Sequence, residues 1–374
     1  MSDTLVAAPV SWTRREIDQQ PETLRATQAL LSADRAAIEA FLAPLLARPE
    51  LRVVLTGAGT SAFIGECLAP WLSARLGRLV EAIPTTDIVS APALHLRRDT
   101  PVLLVSFGRS GSSPESVAAV DLVDVQVAEA YHLIVTCNAE GELAQRGGAR
   151  THVLVLPEAT HDRGFAMTSS FTAMMLAALS VLGGIADMDA RVPAIAAAVE
   201  DVLTRTDALA ADLAGRGFDR VVYLGSGVFK GLAREAALKL MELSDGAVVT
   251  AFDTTLGFRH GPKTIVTDRT LAVVFVSNDP LTRRYDLDMI EELRGDGHCG
   301  ALVVVSAQAG DHAEITVRGM ADAADADLLF PFIAPAQAFA LHVSEVLGLT
   351  PDRPNASGTV NRVVQGVRIH ALPA

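Results

Sequence analysis

The sequence predicts an α/β protein built from two copies of one doubly wound unit, each a parallel sheet flanked by helices. Short apolar runs alternate with helical patterns along the chain, which is typical of parallel sheets covered on both faces. A Gly-x-Gly turn also follows a buried strand twice, at 57–59 and at 225–227. Such internal duplication indicates two domains of the same fold.

The first copy follows a helical stretch, residues 1–50, in which Thr13 and Glu16 have the spacing of a capping box. Its predicted strands are 51–56, 79–84, 101–105, 132–136 and 152–156, and its clearest helices are 61–76 and 116–129. The run 167–183 comes closest to a membrane span, but four hydroxyl side chains near its start favour a buried helix.

The second copy begins after a further helical stretch. Its predicted strands include 220–224, 271–276, 301–305 and 327–330, and a clear helix covers 231–243. We therefore expect a first domain over 51–186, a helical linker over 187–215, a second domain over 216–350, and a tail over 351–374 that closes the site.

Composition limits the function. The chain has 374 residues, a formal net charge of −13 and three cysteines. This charge argues against nucleic acid or an anionic membrane as a partner. The cysteines are far apart and give neither a disulfide framework nor a zinc spacing, so we expect no metal site and no cofactor. With no signal-peptide pattern at the start, the expectation is a reduced, cytoplasmic enzyme.

The most informative segment is the loop after the third predicted strand, Ser106-Phe107-Gly108-Arg109-Ser110-Gly111-Ser112-Ser113. A helix should begin directly after it, so hydroxyls and free backbone N–H groups can surround one phosphate. The spacing matches neither the nucleotide P-loop nor the dinucleotide pattern, which favours a small phosphorylated ligand. The alternative is a serine-rich turn that only caps a helix.

The two copies differ at this loop. The second copy has the acidic Asp279 at the corresponding place, which is unfavourable for phosphate. We therefore expect the phosphate site in the first copy. Ser61 and Ser110 should meet there, because ligands of open α/β sheets bind at the carboxyl ends of the strands.

Candidate catalytic groups lie mainly in the second copy. Glu235 and Lys239 stand four residues apart on the helix, which fits either a surface ion pair or a general base in a partly closed site. His260, in a loop before Gly-Pro, suits proton transfer near neutral pH, although an incidental exposed histidine has the same pattern. The polar cluster 161–168, in the first copy, can line the same cleft.

Together these motifs resemble the sugar isomerase (SIS) family, and its AgaS-type members in particular, over nearly the whole chain. The matching motifs are Ser11-Trp12-Thr13 with Glu16-Ile17, residues 56–65, the serine-rich loop, residues 161–170, residues 257–263 and residues 357–366. The resemblance implies two tandem domains, each with a five-stranded parallel sheet of doubly wound, flavodoxin-like type. It also implies a homodimer with shared active sites.

The resemblance assigns roles to residues of both copies. It implies that Glu235 is the base and that His260, contributed by the partner subunit, opens the sugar ring. The residues expected to bind phosphate are Thr60, Ser61, Ser110, Ser112 and Ser113, and those expected to contact the sugar are Gly59, Arg109, His161, Met167 and Thr168. The tail 352–362 has no lysine, so a covalent imine through a tail lysine is not expected.

The implied activity is conversion of galactosamine 6-phosphate into tagatose 6-phosphate and ammonia. Three alternatives stay open on the sequence: a glucosamine-6-phosphate deaminase, an aldose–ketose isomerase of a non-amino sugar phosphate, and a sensor that binds a sugar phosphate without turnover. The presence of both Glu235 and His260 counts against the sensor.

Overall fold

Three helices open the computed structural model, which describes residues 10–364 and 366–371. They are α1 (Trp12–Asp18), α2 (Gln20–Ala33) and α3 (Arg35–Leu46). The expected capping box is wrong: Ser11 caps α1 by accepting the backbone N–H of Arg14. The Glu16 carboxylate turns away from this helix end and binds a distant loop. Residues 1–9 of the predicted helical stretch lie outside the described residues.

The first domain is a five-stranded sheet in the order β2-β1-β3-β4-β5, with every pair parallel. Its elements are β1 (Arg52–Thr56), α4 (Thr60–Leu76), β2 (Val80–Ala82), α5 (Thr85–Ser90), α6 (Pro92–His95), β3 (Val102–Gly108), α7 (Pro114–Gln126), β4 (Ala130–Thr136), β5 (Thr151–Val155) and α8 (Ser169–Gly183). The strand order reverses between β1 and β3, and this is where open α/β sheets form their ligand crevice.

The second domain repeats this topology in the order β10-β9-β8-β6-β7, again all parallel. Its elements are α9 (Ile185–Gly215), β6 (Arg220–Gly225), α10 (Phe229–Leu243), β7 (Val249–Asp253), α11 (Thr255–Phe258), β8 (Thr270–Phe275), α12 (Pro280–Asp296), β9 (Ala301–Ser306), β10 (Ile315–Thr316) and α13 (Asp325–Val346). The predicted helical linker is the continuous helix α9, whose buried residues belong to the main core.

One predicted strand is wrong. Residues 327–330 lie in α13, and the fifth strand of the second sheet is the two-residue β10. Every residue from Ala326 to Leu341 is buried, so this part of the helix has no face exposed to solvent. A short apolar run of this kind cannot be assigned to a strand or a helix by periodicity alone.

Helix α13 is also the one helix among the described residues that is long and apolar enough to cross a membrane, and 94% of its apolar window is buried in the protein. It therefore fits a core helix. The helix α8, expected to be buried, is enclosed along its whole length.

The two domains pack closely through α4 and α10. A Cβ on Gly231 of α10 would lie 2.6 Å from the backbone nitrogen of Cys67 in α4. Only glycine permits this approach, and the contact brings one end of α10 towards the crevice of the first domain. After α13 the chain returns to the first domain as an irregular tail whose Asp352 accepts hydrogen bonds from the first turn of α1.

Candidate active site at the first-domain crevice

Two helix starts meet at the crevice between β1 and β3. Helix α4 begins at Thr60 after the Gly57-Ala58-Gly59 turn, and α7 begins at Pro114 after the serine-rich loop. The turn needs Gly57, because a Cβ there would lie 2.6 Å from the backbone of Ser61. Gly111 has a φ of +65°, and a Cβ on it would approach Thr136 to 2.9 Å. The positive dipole ends of both helices therefore meet at one crevice, which favours an anion.

A cavity of about 220 Å³ lies at this crevice. Its walls are residues 58–61, residues 107–110 with Ser113 and Ser116, Phe165 and Met167, Glu242, and residues 360–364 of the tail. Five separate parts of the chain therefore enclose one space, which has room for a compact molecule rather than a dinucleotide.

Most of the predicted binding residues line this cavity. They are Gly59, Thr60, Ser61, Arg109, Ser110, Ser113 and Met167. Two others lie behind its wall. The Ser112 hydroxyl accepts a hydrogen bond from the backbone N–H of Glu142, and Thr168 is fully buried at the start of α8.

His161 lies in a neighbouring open pocket of about 270 Å³ lined by Glu158, Arg163 and Arg362. Burial, reinforced by the positive charges of Arg362 and Arg109, lowers the pKa of His161. Arg362 is common to the walls of this pocket and of the cavity.

Helix α10 contributes a buried group of charges next to the cavity. The side chains of Glu235 and Lys239 are completely buried, which excludes the surface ion pair. The Lys239 ammonium lies 3.4 Å from Glu235 Oε1 and donates to Thr60 Oγ1 at 3.0 Å. It also forms an ion pair with Glu242. Glu242 is the carboxylate of this group that lines the cavity.

The charges in this group are set by burial. Burial raises the pKa of Glu235 to about 8, although Lys239 opposes the shift. Burial acts to lower the pKa of Lys239, but the two carboxylates outweigh it and raise that pKa. At neutral pH Glu235 is therefore mainly protonated, and the charged Lys239 is paired with Glu242.

His260 does not line the cavity. It is exposed in the loop after α11, where the neighbouring Arg259 and Lys263 both pair with Glu292. Within one chain the structure thus brings together the predicted phosphate-binding residues but leaves the predicted ring-opening histidine outside the cavity.

Sequence reasoning missed two charged residues of the cavity wall, Glu242 and Arg362. Glu242 follows Glu235 by seven residues, two helical turns along the same face, and this spacing was an available signal. Arg362 donates to the Gly164 carbonyl at 3.2 Å, while its own carbonyl accepts from Arg109 at 2.7 Å. Arg362 reaches the cavity because of the path of the tail, and no local sequence pattern predicts that path.

Comparisons with known proteins agree with this geometry. The SIS domain pattern matches residues 45–182, which include all of the first-domain crevice. D-galactosamine-6-phosphate deaminase AgaS of Escherichia coli is 46% identical over 98% of each chain, and a Streptomyces coelicolor relative is 51% identical over 96% of this chain and 95% of its own. The crystal structure of tagatose-6-phosphate ketose/aldose isomerase from Escherichia coli superposes with a TM-score of 0.90, at 42% identity and 99% coverage of both chains. This likeness over nearly the full length of its relatives shows that the chain belongs to the SIS domain family.

Proposed function

We propose that this protein converts galactosamine 6-phosphate into tagatose 6-phosphate and ammonia. The observation that carries the proposal is the single cavity in which the hydroxyl-rich loops of the first domain face the Glu242 carboxylate of the second. The names of the full-length relatives supply the substrate.

The phosphate binds at the first-domain end of the cavity in this proposal. Ser61, Ser110 and Ser113 offer hydroxyls, and the starts of α4 and α7 offer backbone N–H groups and the positive ends of their dipoles. Arg109 adds positive charge, but its guanidinium already donates to the carbonyls of Phe165 and Arg362. Arg109 therefore holds the serine-rich loop in place and adds a positive electrostatic potential at the phosphate. It does not form a bidentate contact with the phosphate.

The reaction then proceeds on the open-chain sugar. Ring opening gives an aldehyde at C1 with the amine on C2. Removal of the C2 proton gives an enolamine, and protonation at C1 gives a ketimine. Water adds to the C2 carbon of the ketimine, and the C–N bond breaks to release ammonia and leave the ketose phosphate. No oxidant or reductant is needed.

We assign the base to Glu242 rather than to Glu235. A general base must reach the proton it removes within hydrogen-bonding distance, and Glu242 lines the cavity while Glu235 is sealed behind it. Glu235 Oε1 instead lies 3.4 Å from the Lys239 ammonium and receives a hydrogen bond from Thr60 at 3.3 Å.

Ring opening is assigned to His260 of a second copy. Its exposure and its absence from the walls of its own chain's cavity fit a residue that serves a neighbouring site. This arrangement makes the working enzyme a homodimer with shared active sites.

A second candidate is an aldose–ketose isomerase of a non-amino sugar phosphate, which the name of the Escherichia coli structural relative favours. The same base and acid serve this reaction, since only the group on C2 differs. The two candidates therefore differ in one product, ammonia.

The test is to mix the purified protein with galactosamine 6-phosphate, and separately with glucosamine 6-phosphate, and to assay ammonia and ketose phosphate together. We expect equal amounts of both products and faster turnover of galactosamine 6-phosphate. Interconversion of tagatose 6-phosphate with its aldose, without ammonia release from either amino sugar, would instead establish the isomerase.

A further inference from the structure

The first helix contacts two segments that form the cavity. At its start, the backbone N–H groups of Trp12 and Thr13 each donate to Asp352, where the tail begins, at 2.8 Å. One turn later the buried Glu16 carboxylate accepts the backbone N–H of Gly164 at 3.1 Å and that of Arg163. Helix α1 therefore connects the tail with the loop 162–168, although it lies outside the cavity itself.

The loop 162–168 is held by two carboxylates, which bind different parts of it. Asp162 accepts the backbone N–H groups of Thr168 and Ser170 at 2.8 and 2.9 Å, which ties the loop to the start of α8. Glu16 is the carboxylate that holds its middle. Gly164 fits closely against it, because a Cβ at this position would lie 2.8 Å from both the Glu16 carboxylate and the Thr13 hydroxyl.

The carbonyls of this loop in turn hold the two cavity arginines. Arg109 donates to the carbonyls of Gly164 and Phe165 at 3.3 and 3.1 Å. Arg362 donates to the carbonyls of Asp162 and Gly164. The loop thus fixes Arg109 next to Ser110 and fixes the tail segment that covers the cavity. A shift in its middle would move both walls.

We propose that Glu16 is a positioning residue of the active site. Its carboxylate fixes the backbone position of residues 163–164, and through this backbone it fixes the positions of Arg109 and the tail. The proposal rests on the proposed function only for its kinetic measurement. The Glu16 side chain does not line the cavity, so it acts through the loop and not on the substrate.

The test compares Glu16→Ala with Glu16→Gln. One oxygen, Oε1, accepts from both Arg163 and Gly164, so the glutamine amide oxygen can keep these bonds while alanine cannot. We expect Glu16→Ala to raise KM by about tenfold, the effect of ~1.4 kcal/mol. It should weaken binding of inorganic phosphate by a similar factor, and Glu16→Gln should restore most of both losses.

Two further variants separate positioning from general stability. Ile17→Ala removes a buried neighbour on the same helix and should lower Tm without changing KM. Gly164→Ala pushes the loop away from Glu16 from the other side and should reproduce the kinetic defect of Glu16→Ala. The double variant should be no worse than either single variant, since contacting residues are not additive. If Glu16→Ala does not fold, Gly164→Ala carries the test alone.

The proposal is overturned if Glu16→Ala lowers only Tm, as the Ile17→Ala control does, or if Gly164→Ala keeps normal KM and phosphate affinity. Phosphate binding is measured by titration and needs no turnover. A wild-type protein inactive on amino sugars would therefore contradict the proposed function but leave the positioning role measurable.

Discussion

The two domains share one topology but use their central crevices in opposite ways. In the first domain the crevice between β1 and β3 is an open cavity lined by hydroxyls. In the second, at the ends of β6 and β8, the carboxylate of Asp286 accepts from Ser226 and Thr255 at 2.8 Å and from the backbone N–H of Ser277 at 3.0 Å. Asp286 is fully buried.

The second crevice therefore supplies its own anion. Two hydroxyls and a backbone N–H converge on Asp286, and these are the donor types that the first crevice offers to a phosphate. The difference teaches that duplication of the fold does not duplicate the site. In the proposed reaction, the second domain contributes through α10 and through the loop that carries His260.

The largest expected effect comes from placing an acidic side chain in the first crevice, as the second domain has at Asp279. Ser110→Asp places a carboxylate where we propose that the substrate phosphate binds, and juxtaposed like charges cost several kcal/mol. We expect kcat/KM to fall by more than ~10³-fold in steady-state assays. Asp279→Ser is the matched control, because serine still caps α12 and the second crevice is not used. If Ser110→Asp keeps its activity, the substrate phosphate does not bind at this loop.

Glu242→Gln should lower kcat by ~10²–10⁴-fold, the usual contribution of a general base, with little change in KM. Glu235→Gln should cost less than about tenfold, since its carboxyl is mainly protonated and lies behind the cavity wall. Steady-state kinetics on both variants decides the assignment. The reverse order of effects would make Glu235 the base and restrict Glu242 to binding.

Mixing two inactive variants tests the shared site. His260→Ala and Glu242→Gln should each be nearly inactive, yet mixed dimers would hold one site with both an intact Glu242 and an intact His260. We expect activity to reappear after the two proteins are unfolded and refolded together. Activity that stays at the level of the separate variants would confine each site to one chain.

Asp286→Ala should destabilise the protein by ~2–4 kcal/mol, because two hydroxyls and an N–H lose their buried acceptor. Inorganic phosphate should restore part of this loss by occupying the vacated place. Denaturant unfolding with and without phosphate measures both effects, and titration should show a second phosphate bound per chain. An unchanged stoichiometry in the folded variant would mean that the second crevice cannot accept an external anion.

The smallest effect is a change in the pH dependence of stability. Burial raises the pKa of Glu235 to about 8 in the folded protein from an ordinary value of 4.5, so the folded state holds this proton more tightly than the unfolded chain does. Stability from this group is complete below pH 4.5 and is lost as the pH rises towards 8. The wild-type free energy of unfolding should therefore decrease between pH 5 and 8, and Glu235→Gln should reduce this decrease by ~2–4 kcal/mol, at about 1.4 kcal/mol per pKa unit. Urea unfolding across this range gives the measurement. An unchanged slope would mean that Glu235 is ionised in the folded protein.

Features encoded within a short segment could be predicted from the sequence. The serine-rich loop has its strand, glycines and helix start in one stretch, so its place at the crevice follows from local patterns. The duplicated Gly-x-Gly turns likewise predicted two sheets of the same kind, and the structure confirms both.

Features that depend on packing between distant segments could not be predicted. Glu235 and Glu242 share one face of α10, and the close approach of Gly231 to α4 decides which of them reaches the cavity. Asp286 lies inside a helix, and nothing in its neighbourhood shows that it fills a crevice. The strand predicted at 327–330 is wrong because a short and mostly apolar run has no period that distinguishes a strand from a helix.

The path of the tail has a consequence for biosynthesis. The two sheets are complete by β10, and domains generally fold in order as the chain emerges from the ribosome. The cavity wall nevertheless includes residues 360–364, which follow the strands of both sheets in the chain. A nascent chain can thus hold a folded serine loop while its substrate site still lacks a wall. The enclosed site can therefore form only after the strands of both sheets have been made.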